Sequence, residues 1–350
     1  MRGAGLLPAA AWGPVCLGLA GLLILSLGAA VGIGTIPIPP EDVYRTALWC
    51  LLGLGDGSQW GSGALYDVVW LIRMPRVVLA AGVGMSLSVC GVVMQAVVRN
   101  PLADPYILGV SSGAYLGAAL ALGLGLGGAA MGLAGCVGGF SASLAVLALA
   151  RLGGRITAVK LLLAGSALSA VCGAAANLTV FLFHDDRGAA ALLQWTMGGF
   201  GGASWPGNGL MLGVTGLGVL FFWSQFRSLN LLTLGEEAAM TLGLEPRSRR
   251  LLYLLTAAVM VGISVYQAGM IGFVGLMIPH TIRLLFGGDH RRLIPLSALT
   301  GGIFLVWADV LCRVVLPGNE LPVGILTALV GAPVFVALLA GRSRRMEGMG

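Results

Sequence analysis

The sequence predicts an all-α, polytopic membrane protein of about ten transmembrane helices. Three observations carry that expectation. Of 350 residues, 57% are hydrophobic and 10% charged, whereas a soluble domain carries about 25% charged residues. The apolar residues fall in runs divided by short polar stretches, and at roughly 20 residues per crossing such a chain supplies about ten spans. There are 57 glycines, which let helices approach closely where lipid supplies no hydrophobic drive. A mean hydropathy of +0.94 leaves no room for a separate soluble domain, so residues 1–350 read as one transmembrane domain.

The first span is expected near 15–36, after Met1 and Arg2. It is longer than the apolar part of a secretory signal and has no cleavage site before polar sequence, so it reads as an uncleaved helix. Further spans fall near 75–98, 107–127, 129–150, 160–182, 207–226, 251–268, 272–286, 293–312 and 322–341. Residues 189–204 are too short to cross and read as an interfacial half-helix, with Trp195 and Trp205 at headgroup level. The six cysteines form no CxxC pair and read as small core residues.

Alternating ten helices from a cytoplasmic N-terminus places fifteen of the 20 basic residues inside. These are Arg2, Arg99, Arg151, Arg155, Lys160, Arg227, Arg247, Arg249, Arg250, Arg283, Arg291, Arg292, Arg342, Arg344 and Arg345. Arg45, Arg73, Arg76, Arg187 and Arg313 stay outside, in keeping with the positive-inside bias, and both termini are cytoplasmic. The net charge of +6 follows loop sidedness rather than a nucleic-acid footprint, and no nucleic-acid partner is expected.

Several short stretches carry candidate roles. The elbow Asn100-Pro101-Leu102-Ala103-Asp104-Pro105 stops helices with two prolines. It reads equally as a plain loop or as the lining of the inner mouth of a pathway. Gly109, Gly113 and Gly117 recur every four residues and mark a helix-packing face. The inner stretch at about 229–250 contains a short helix capped by Thr233 or Gly235, with Glu236 and Glu237 in a first turn that the helix dipole favours. Leu234, Ala238, Met240 and Leu242 give it an apolar surface, either solvated or covered by a partner or the membrane interface. Gly269, Gly272 and Gly275 read as a pivot between two spans. Arginines at helix ends usually snorkel, yet Arg73, Arg76 and Arg313 stand outside against the charge bias, which suits capture of carboxylates. Asp309 and Arg313 are spaced to pair along one helix.

These pieces together resemble the permease family of type II ABC importers for vitamin B12, ferric siderophores and haem. The resemblance rests on Arg73-Met-Pro-Arg76, Arg99 through Pro105 with Gly109-Val-Ser-Ser-Gly113, Leu161-Leu-Leu-Ala-Gly165 and Trp195-Thr-Met-Gly-Gly199. It continues with Leu234-Gly-Glu-Glu237, Gly272 through His280 with Asp289-His-Arg291, Glu320-Leu-Pro-Val-Gly324 and Gly331-Ala-Pro333. These motifs occupy a core at 73–341 in order. The resemblance implies a bacterial inner-membrane homodimer, two cytoplasmic ATPase subunits holding ATP and magnesium, and an external substrate-binding protein. It implies that Arg73, Arg76 and Arg313 meet acids of the binding protein. Gly235, Glu236, Glu237, Ala238, Leu242 and Gly243 would form the ATPase-coupling segment, and Asn100, Pro101 and Leu102 an inner gate. Thr157-Ala158-Val159-Lys160 departs from the small hydroxyl residues of B12 permeases, which sets aside a second hydroxyl constriction.

No GxxxxGK[ST] phosphate loop is present, so no ATP hydrolysis is expected from this chain. It is expected to bind no cofactor, to place no residues in metal or catalytic sites, and to be no enzyme itself. An ion-coupled secondary transporter acting alone is the rival reading. It requires buried carboxylates at an ion site, for which Asp309 is the one candidate.

Overall fold

The computed structural model describes residues 11–34, 36–54, 60–152, 157–183, 186–316 and 318–347, so Arg2 and Arg155 lie outside the described residues. Every regular element among these residues is helical. Helices α1 (Trp12–Gly32) and α2 (Pro40–Leu52) lead into a π-helical stretch, Asp67–Arg73, continuous with α3 (Met74–Val98). A 3-10 turn (Pro105–Leu108) precedes α4 (Val110–Gly123), followed by α5 (Ala129–Arg151), α6 (Ala158–Phe183) and α7 (Asp186–Thr196). Then come α8 (Trp205–Ser224), α9 (Phe226–Leu234), α10 (Glu236–Thr241), α11 (Pro246–Ala268), α12 (Val274–Phe286), α13 (His290–Val314) and α14 (Val323–Glu347).

Seven of these are long and apolar enough to cross a membrane, and three shorter apolar helices lie at α4, α12 and the described apolar part of α14. Together they match the ten expected spans in position. The third and eighth are shorter than expected, because α4 begins only after the elbow and 3-10 turn and α12 only after Phe273.

The pillar of the fold is α3. Nearly its whole length is buried, and it packs against α1, α8, α11, α12 and α13. In contrast α1 and α6 expose Leu17, Ile24, Leu25, Leu163, Val171 and Leu178, as helices facing lipid do. Close contact is bought with glycine: a Cβ at Gly84 would strike the Gly301 carbonyl, and one at Gly91 the Gly275 carbonyl. These pairs bring α3 against α13 and α12 at backbone distance.

Helix α2 was absent from the expected spans. It carries Glu41, Asp42 and Arg45, which keep it below spanning hydropathy. Its ends were nonetheless written in the sequence, with Pro40 at the first position and Gly53 at the left-handed cap.

Trp195 and Trp205 are both half-buried. Trp205 donates from Nε1 to the Trp70 carbonyl at 2.9 Å, and the Trp195 ring fills the space a Cβ at Gly135 would need. Gly269 and Gly275 are likewise wedged, against Trp195 and Pro105 respectively, which argues for close packing there rather than a pivot.

Candidate functional site: arginine cluster, elbow and amphipathic hairpin

Where α1 ends, its C-terminal carbonyls have no intrahelical partners. Arg73 Nη1 donates to Val31 O at 3.0 Å and Nη2 to Ile36 O at 2.6 Å. Arg313 donates to Ala30 O and Ile33 O, both at 3.0 Å. Cations at a helix C-terminus also answer its dipole. Asp309 is 0% exposed. Arg76 Nε donates to its Oδ1 at 2.9 Å, and Arg313 Nε lies 3.1 Å from its Oδ2. The expected Asp309–Arg313 pairing is therefore present, with Arg76 as a second partner from a distant part of the chain. Arg76 Nη1 also donates to both Glu320 oxygens, at 2.9 and 2.8 Å.

The resemblance implies that Arg73, Arg76 and Arg313 meet acids of an external binding protein. The structure commits them to the chain itself: Arg73, Arg76 and Arg313 are each at most 8% exposed. Glu320, at 56% side-chain exposure, is the member of the cluster that faces solvent. Asp309, held between two arginines, is a structural counter-ion rather than a vacant ion site.

The elbow begins where α3 ends in a Schellman-type cap. Arg99, left-handed at φ 54°, donates its N–H to Ala96 O, and Asn100 donates to Gln95 O. Asn100 Oδ1 accepts from Leu102 N at 3.0 Å, closing a tight turn around Pro101. The chain then climbs back along α3, since Pro105 reaches the level of Leu87, where Gly275 is wedged between them. Tyr106 Oη accepts from Ile271 N at 3.3 Å. Only the first half of the elbow thus lies at the inner end of α3.

Gly109 sits at φ 73°, a conformation that favours glycine. It turns the chain into α4 and leaves ordinary space toward Val146. Gly113 and Gly117 are the packing positions, where a Cβ would strike Gly138, Ala142 and Ala134 of α5. Filling such a site costs about 1–3 kcal/mol.

Pro279 and Pro295 each free a backbone carbonyl within a helix, and a different neighbouring side chain answers each. Pro279 cannot donate to Gly275 O, and Gln95 Nε2 of α3 approaches that carbonyl at 3.4 Å and Leu276 O at 3.3 Å. Gln95 Oε1 in turn accepts from Arg283 Nη2 at 3.0 Å. Pro295 cannot donate to Arg291 O, which instead accepts from Trp223 Nε1. Gln95 and Trp223 were missed in the sequence; the signal that could have found them is a mid-span proline, which demands a donor from elsewhere.

The inner stretch folds as two short helices, α9 and α10, joined at Gly235. That residue adopts φ 117°, which favours glycine, and is the N-cap of α10 without a side-chain cap. Thr233 caps nothing and donates its hydroxyl to Asn230 O at 2.7 Å. Glu236 and Glu237 occupy the first turn of α10. Glu236 turns toward Arg250 at 3.6 Å, while Glu237 is exposed. Leu234, Met240 and Leu242 stand exposed, Gly243 is exposed and Ala238 half-buried. This is an exposed apolar surface on a polar loop.

Nine apolar helices beside a buried apolar pillar, with a folded-back elbow and an amphipathic hairpin, are the architecture of a multi-pass membrane protein. The chain belongs to the FecCD transport family, whose model matches residues 22–341. It is 42% identical over 305 residues to the vitamin B12 import system permease BtuC of Salmonella paratyphi A and of Salmonella typhi, alignments covering 84% of this chain and 92% of each relative. A solved metal-chelate type ABC transporter in an inward-facing conformation superposes with a TM-score of 0.80 at 29% identity, covering 94% of this chain and 99% of that one. PsaBC from Streptococcus pneumoniae shares the fold at a TM-score of 0.55 and 19% identity. The chain is thus a multi-pass inner-membrane permease subunit of an ABC importer.

Proposed function

We propose that this permease carries cobalamin inward by ATP-driven alternating access, with energy supplied by two cytoplasmic ATPase subunits that hold ATP and magnesium. The observation that carries the choice of cargo is the 42% identity to vitamin B12 permeases across 84% of the chain. Two copies of the chain enclose the pathway, with Asn100, Pro101 and Leu102 near its inner mouth. The apolar face of α10 and the exposed Glu237 seat the ATPase, and this chain binds no cofactor of its own. The distribution of basic residues supports cytoplasmic termini. An external binding protein docks on the opposite face. There an acid of that protein competes with Glu320 for Arg76, while Arg73 and Arg313 hold α1 behind it.

Liposomes containing the permease and its ATPase subunits, supplied with the binding protein, test this with radiolabelled cyanocobalamin. Uptake should require ATP inside the compartment that holds the ATPase. Entry of a ferric siderophore or haem with no cobalamin entry would reassign the cargo. Uptake by the chain without any ATPase would overturn the energy source as well.

A further inference from the structure

Helix α10 rests mainly on α9 and on the start of α11, so force applied to it enters the bundle through those two elements. Leu229 and Leu232 of α9 are buried in the main core. Between them Asn230 makes a directed polar link. Its Nδ2 donates to Asp289 Oδ1 at 2.8 Å, which orients its Oδ1 toward His290. That oxygen accepts from His290 N at 3.0 Å and lies 2.6 Å from His290 Nδ1. A carbonyl oxygen only accepts, so Nδ1 is assigned as the protonated ring nitrogen. Asp289 Oδ1 also accepts from Arg291 N at 3.1 Å and caps α13. One amide thus grips both the cap and the first residue of α13, and His290 is 1% exposed.

Helix α13 has 25 residues and is about 37 Å long at 1.5 Å per residue. Its far end carries Asp309 and Arg313, the centre of the outer cluster that holds α1 and Arg76. We infer that Asn230 is a positioning residue for transport: it transfers displacement of the α9–α10 hairpin to α13, which conveys it to the outer arginine cluster. This rests on the reading of α10 as the seat of the ATPase. Leucines alone would let α9 slide, whereas three hydrogen bonds from one planar amide fix its register against α13.

Hydrogen exchange on the permease assembled with its ATPase subunits, with and without trapping by Mg-ATP and vanadate, tests the link. In the natural chain, trapping should change protection both at residues 234–245 and at 286–296. In Asn230→Ala the change at 234–245 should persist while that at 286–296 becomes at least about twofold smaller. The double variant Asn230→Asp with Asp289→Asn reinstates a donor–acceptor pair and should restore the change. It also serves if Asn230→Ala fails to assemble, because Asn230→Asp alone should then lose what the pair regains. An equal change at 286–296 in Asn230→Ala and the natural chain would overturn the inference. So would a natural chain that changes at 234–245 alone, with the ATPase seat left standing. No change at 234–245 in the natural chain would remove the seat and the link together.

Discussion

The indole Nε1 of Trp223 donates to the carbonyl of Arg291 at 3.0 Å, the acceptor that Pro295 leaves without its helical partner. Gln95 does the same for Gly275 beneath Pro279, from inside the bundle. The two differ in cost of loss. Trp223 is 41% exposed, and Gln95 is buried with both ends of its amide engaged. Gln95→Leu leaves carbonyls of α12 and the Arg283 guanidinium short of a partner. It should cost about 1–3 kcal/mol, read as a lowered thermal midpoint of the detergent-solubilised chain. Trp223→Phe should cost less, because water can replace the indole. Equal losses would remove the distinction.

The outer cluster makes the same point with charge. Asp309 is buried between Arg76 and Arg313, and its removal leaves the buried Arg313 cation without an acidic partner. Asp309→Asn should destabilise by about 3–5 kcal/mol. Glu320→Gln breaks only the exposed arm of Arg76 and should lie within about 1 kcal/mol of the natural chain. Paired thermal or denaturant unfolding curves measure both. A mild Asp309→Asn would mean that water reaches the cluster and screens it.

Much of this was legible in the sequence because membrane helices announce themselves by length and hydropathy. The spans, the Asp309–Arg313 pair and the packing role of Gly113 and Gly117 all follow from local spacing. Contacts between distant residues did not. Arg76 and Asp309 are separated by 233 positions, and nothing in either neighbourhood names the other. The outer arginines were expected to face outward for that reason. Helix α2 escaped because its charges lower its hydropathy, although Pro40 and Gly53 marked its ends. The contact of the Trp195 ring with Gly135 is likewise one that no periodicity reveals.

Asp289 gives a pH dependence. Burial alone would push its carboxyl up, but hydrogen bonds from Asn230 and the Arg291 N–H, with Arg292 nearby, hold it below the ordinary carboxylate range. A group lowered on folding contributes stability that is present above its unfolded value, about 3.9, and lost as pH falls through the folded value. Asn230→Ala removes one of those donors. With its folded carboxyl closer to the unfolded value, that variant should lose less stability than the natural chain as pH falls through this range. Thermal midpoints between about pH 5 and 3 measure the shift, and superimposable profiles would show that Asn230 does not hold the carboxylate.

The two glutamates of α10 face different neighbours, and that separates assembly from internal fit. Glu237 is exposed in the first turn, beside the apolar surface of Leu234, Met240 and Leu242. Glu236 reaches back to Arg250, whose side chain is 6% exposed. Glu237→Arg reverses charge on the outward face without touching an internal pair, so it should weaken co-purification of the ATPase while leaving the thermal midpoint of the isolated chain unchanged. Glu236→Gln should do the opposite, lowering the midpoint slightly through Arg250 and leaving assembly near normal. Tagged pull-down of the ATPase at low and high salt reads the first effect, since a charged contact weakens as salt screens it. Full assembly of Glu237→Arg at low salt would move the ATPase seat away from this face of α10.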